Sequence, residues 1–93
     1  MPAAARAVNV PASGTQQLVT GPGVYQGASI RETAGAAAVV RIWDNTSAAG
    51  TLIAAASFPA NGNFVDNPGN GVFFAIGVFV EVVSGAVQGC VRI

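Results

Sequence analysis

The clearest alternation of apolar and polar positions lies in residues 39–56. Ala38, Val40 and Ile42 fall on one side of an extended strand, and Val39, Arg41 and Trp43 fall on the other. A charge and a large amphipathic ring belong on the side that meets water or a partner, so Val40 and Ile42 are assigned to the core. Asp44 and Asn45 can accept hydrogen bonds from backbone N–H groups two residues on, which closes an Asx-type turn. Gly50 fits a left-handed position before the return strand. That strand covers residues 51–57 and sends Leu52 and Ile53 to opposite faces. The stretch predicts a β-hairpin.

Other segments repeat the short β-prone pattern. Val8 and Val10 suggest a first strand, which Pro11 confines to an edge or a strand end. Residues 15–20 are a second, and Gly21-Pro22-Gly23 is a turn. Residues 24–33 alternate imperfectly, with Gly27 a candidate bulge. Val24, Gln26, Ala28 and Ile30 are read as the core side, and Tyr25, Ser29 and Arg31 as the outer side. Phe64-Val65 is a brief strand between turns. Residues 72–75 and 78–83 are nearly all β-branched or aromatic, as in strands covered on both faces. Residues 86–93 return after Ser84-Gly85, with Val87, Val91 and Ile93 sharing one face and Gln88, Cys90 and Arg92 the other. No helical period occurs. The expected fold is all-β: one small β-sandwich or jelly-roll-like barrel of about seven to eight antiparallel strands. Residues 1–12 form an arm and first short strand, and residues 13–93 the sandwich.

Charge sharpens this picture. Only 9% of the 93 residues are charged, the formal net charge is zero and there is no lysine. An average soluble domain has about 25%. Low charge favours association, so partners in an assembly are expected to cover much of the surface. Four scattered arginines make no phosphate-tracking stripe, so nucleic acid is not an expected ligand. The longest apolar run, residues 72–83, is interrupted by Gly77 and Glu81 and falls short of a membrane span. The N-terminal residues do not follow a signal-peptide pattern. Cys90, the single cysteine, permits no intrachain disulfide, which suits synthesis in a reducing cytoplasm.

The chain offers little for catalysis. It has no histidine, the commonest general base and metal ligand. Cys90 has no base beside it in sequence and is read as a small buried hydrophobe. Residues 61–71 are rich in Asn and Gly but hold one carboxylate, so sharp turns are favoured over a calcium loop. No catalytic, cofactor-binding or metal-ligating residue is assigned and no enzyme activity is expected. Trp43 and Tyr25 are the aromatics available to stack on a sugar or anchor an interface.

The order of these segments carries a resemblance. Gly21-Pro22-Gly23-Val24-Tyr25-Gln26-Gly27 leads to Val40-Arg41-Ile42-Trp43-Asp44-Asn45-Thr46-Ser47-Ala48-Ala49-Gly50-Thr51-Leu52-Ile53-Ala54, then Phe73-Phe74 and Gly77-Val78-Phe79-Val80-Glu81-Val82-Val83-Ser84-Gly85. Over about residues 15–93 this is similar to small β-sandwich structural proteins of tailed-bacteriophage virions. The resemblance implies a capsid decoration (cement) protein bound to the major capsid protein on the phage head, made in the bacterial host cytoplasm. A head-fibre or tail-associated module binding carbohydrate or the host surface is the alternative. It further implies a homo-oligomer, with a trimer favoured. The expected interface residues are Met1, Pro2, Arg6, Val8 and Val10 of the N-terminal arm, together with Tyr25, Arg41 and Trp43.

Overall fold

The computed structural model describes residues 6–93. Among them are ten β-strands and no helix: β1 (Ala7–Asn9), β2 (Gly14–Thr20), β3 (Gly23–Tyr25), β4 (Gly27–Glu32), β5 (Ala38–Asp44), β6 (Thr51–Phe58), β7 (Asn63–Asp66), β8 (Val72–Phe74), β9 (Gly77–Ser84) and β10 (Val87–Arg92). Eight of them form two antiparallel four-stranded sheets. The first has the order β1-β10-β4-β7 and the second β2-β9-β5-β6. The remaining two, β3 and β8, form a separate ribbon. Setting that ribbon aside, the chain passes from sheet to sheet in the order of a jelly roll. Only β5 and β6 are both consecutive in sequence and paired with each other. The hairpin is therefore the one local pairing, and every other pairing closes over a long stretch of chain.

The core lies between the two sheets. Ala28 and Ile30 of β4 and Val87 and Val91 of β10 meet Val40 and Ile42 of β5 and Val78, Val80 and Val82 of β9. Each set follows the two-residue period of a strand, so one face of each sheet is dry. Val40 and Ile42 are both 1% exposed, as the hairpin alternation predicts. The hairpin also contains a bulge: Ile42 is opposite Ala54 and Trp43 is opposite Leu52, which leaves Ile53 as the extra residue. Ile53 packs toward the core while Leu52 is 44% exposed. Gly50 takes φ 88°, the left-handed conformation expected before the return strand.

Several expectations are corrected. Residues 24–33 are not one strand. They divide at Gln26, whose N–H donates to Arg92 O, and Gly27 takes φ 134°. β3 pairs with β8 and β4 with β10 and β7, so the alternation restarts out of phase. Tyr25 is consequently fully buried and Val24 exposed, the reverse of the pattern read from sequence. The β8 strand is not covered on both faces, because Phe73 is 68% exposed while Phe74 is buried. β1 is an edge strand of the first sheet, with Val8 opposite Val91, and Val87 N–H donates to Ala12 O. Cys90 is half-buried on the outer face of β10, opposite Asn9 and Ser29, since Val87 and Val91 occupy the inner positions.

Candidate interaction surface

Three of the four carboxylates hold the fold together. Glu32 ends β4 with its side chain buried, and its oxygens accept hydrogen bonds from Asn61 N (2.8 Å), Gly35 N (2.9 Å) and Ala34 N. These N–H groups, Asn61 first, hold its carboxyl below the usual range. Asp44 ends β5 and accepts from Ala75 N (3.0 Å), Ile76 N (2.9 Å) and Gly77 N (3.3 Å), which lowers its pKa likewise. Asp44 thus fastens the loop between β8 and β9 to the hairpin. Within the hairpin loop, Asn45 accepts from Thr46 N at 2.8 Å and donates to Ala49 O at 2.8 Å, so neither it nor Asp44 accepts from the N–H two residues on that an Asx turn needs. Asp66 accepts from the Tyr25 hydroxyl at 2.9 Å. Burial, then that bond, raises the phenol's pKa well above its usual value. Arg92 braces the same corner, donating to Ser29 Oγ, Asp66 O and Asn67 Oδ1.

Glu81 is the carboxylate that faces outward, and it marks the best candidate surface. It lies on the outer face of the second sheet, directly opposite Arg41 on β5 and Thr15 on β2. Its Oε1 accepts from Trp43 Nε1 at 3.2 Å and lies 4.0 Å from Arg41 Nη1. The pair is partly exposed and contributes only about 0.2–1 kcal/mol to stability. Its effect is positional, since it fixes the indole edge and the guanidinium on one face. The adjacent row is apolar: Phe79 and Leu52 flank Trp43 on the neighbouring strands. Val39 and the bulged Val83, 45% exposed, extend the apolar character past Arg41. Gln17 braces the β2 edge of this face, its amide donating to Val19 O, Val78 O and Asn45 O.

The expected interface residues therefore separate. Arg41 and Trp43 share one outward face, as read from sequence. Tyr25 does not join them; it is a buried core residue whose hydroxyl needed, and found, an internal acceptor. Val10 is 8% exposed and belongs to the core, Val8 is half-buried, and Arg6 is exposed. Met1 and Pro2 lie outside the described residues. Sequence reading missed the ribbon tip, where Val24 and Phe73 are opposite each other and exposed, with Ile76 47% exposed nearby in the loop that Asp44 holds. The Phe73-Phe74 doublet was the available signal, because adjacent residues of a strand point to opposite faces.

The outer face of the first sheet differs. Gln88, Arg31 and Asn63 form one cross-strand row and Cys90, Ser29 and Val65 the next. A shallow groove of about 320 Å³ runs between them. Among the described residues, no three His, Cys, Asp or Glu side chains gather as a metal ion would require. No helix there is long and apolar enough to cross a membrane. No known protein family, curated protein or solved structure matches the chain.

Proposed function

We propose that this chain is a non-enzymatic virion structural protein, a decoration (cement) protein that binds the major capsid protein on the outside of a phage head. One observation carries the reading. The outer face of the second sheet is apolar at Leu52, Phe79, Val39 and Val83, and holds a tied Trp43–Glu81–Arg41 group at its centre. Trp and Arg in an apolar surround are the side chains that dominate protein–protein contacts. The virion setting comes from the resemblance of residues 15–93, and the jelly-roll order agrees with it by analogy, being a fold of capsid and lectin domains. The mechanism is mechanical: modest contacts repeated around a closed shell act together and resist outward pressure.

Purified particles should contain the chain in a fixed, large ratio to the capsid subunit. A few copies confined to the tail would sink the decoration reading and favour a fibre or tail module. Trp43→Ala and Arg41→Ala together should weaken binding to shells lacking the protein by at least about tenfold, the loss of one modest hot spot. The circular dichroism spectrum should stay unchanged. Unaltered binding would mean that another face meets the shell.

A further inference from the structure

We infer that the β6 edge is a pairing site for β6 of a second copy of this chain, joined about a two-fold axis. β6 is the outermost strand of the second sheet, so one side of its backbone has no partner strand. No other described backbone or side-chain group hydrogen-bonds to residues 51–58 in its place. An open row of N–H and C=O groups is a template for strand addition unless something protects it.

The other three edges of the two four-stranded sheets are short or interrupted, whereas residues 54–58 of β6, beyond the Ile53 bulge, form a regular open stretch. β1 has three residues and is closed by Pro11. β7 has only four residues. β2 is bulged between Gln17 and Val19. β6 runs for eight residues, Thr-Leu-Ile-Ala-Ala-Ala-Ser-Phe, without a charge or a proline. Beside it lies a narrow apolar crevice, too tight for water, lined by Ile30, Val40, Ile42, Phe64 and the β6 alanines. Ile30, Val40 and Ile42 are already buried, so what the edge offers a neighbour is its open backbone and its small side chains.

The occupant follows from self-complementarity. Beyond the Ile53 bulge, residues 54–58 are regular, with Ala54, Ala56 and Phe58 on the core side and Ala55 and Ser57 on the outside. An antiparallel copy centred on Ala56 pairs Ala56 with itself, Ala55 with Ser57 and Ala54 with Phe58. Every pair then matches core side to core side, as register demands. Facing Cβ atoms in such a ladder are about 4.5–5.5 Å apart, and alanine and serine fit that spacing. The closed symmetry is a dimer, and two four-stranded sheets become one of eight. A dimer departs from the trimer that the resemblance implies, and the inference stands apart from the virion reading.

The test uses the full chain in light scattering coupled to size exclusion, from about 5 to 500 μM, a range that spans a dimer of micromolar affinity. A concentration-dependent dimer is expected. Ala55→Glu/Ser57→Glu changes two exposed outer positions and sets four carboxylates against each other across the axis. It should return the protein to monomer with an unchanged circular dichroism spectrum. Ala55→Glu/Ser57→Lys sets opposite charges face to face and should remain dimeric. A monomer at every concentration, a trimer, or a dimer indifferent to the paired glutamates would each overturn the inference, whatever the particle experiments show.

Discussion

Glu32 is the residue where the charge economy of the chain is most visible. In a protein with four carboxylates, one is buried and spent on three loop N–H groups. Those donors stabilise the anion more than water does in the unfolded chain, so the folded-state pKa lies below the ordinary value of 4.5. The stabilisation is present above the unfolded-state value and is lost as pH falls through the lowered folded-state value. Asp44 acts in the same direction from an ordinary value of 3.8. Glu32→Gln places an NH₂ donor among N–H donors and should lower the melting temperature at pH 7. The gap to the native chain should narrow as pH falls through the lowered folded-state value, where the native carboxyl is itself protonated. Calorimetry over a descending pH series checks this; an equal gap throughout would show that shape, not charge, holds the loop.

At the level of the element, the β5–β6 hairpin shows what local sequence can specify. Its core face and the left-handed Gly50 are written in neighbouring residues, and both are found, whereas the Asx turn expected of Asp44 gives way to bonds with the distant residues 75–77. The core should matter more than the loop. Ile42→Ala removes a fully buried side chain and should cost about 2–5 kcal/mol. Gly50→Ala puts a Cβ at φ 88°, 3.0 Å from Asn45 Nδ2, and should cost about 1–2 kcal/mol. Urea unfolding of both variants ranks them, and the reverse order would mean that the loop sets the register. The break at Gln26 was not legible in the same way. Residues 24–33 alternate locally, but β3 and β4 belong to different sheets because their partners, β8 and β10, lie about fifty to sixty residues further on. A choice made by distant pairing leaves only a glycine as its local trace. Tyr25 was therefore assigned to the wrong side, and with it one of the expected interface aromatics. The eight sandwich strands were countable from turns and β-branched runs, whereas their order was not, since a single pairing is local.

For the whole molecule, the consequence of that order is that the first strand holds the last one. β1 pairs with β10, Arg6 and Ile93 exchange both backbone hydrogen bonds, and Val10 N–H donates to Gly89 O. The N-terminal segment thus has two parts with different expected roles. The described pairing opens at Arg6, so deleting residues 1–5 keeps every described ladder contact and should leave the melting temperature unchanged. Deleting residues 1–12 removes β1, exposes the β10 edge and takes Val10 out of the core. Burial of one such valine is worth about 1.5–3 kcal/mol, before the lost ladder is counted, against a total of about 5–15 kcal/mol for a small domain. The longer deletion should therefore lower the melting temperature by at least about 6–10 °C at this size. Thermal scans of the two truncations distinguish an arm from a structural strand. If both are silent, β1 adds nothing to the sandwich. If the short deletion alone unfolds the protein, the segment before Arg6 is itself part of the core.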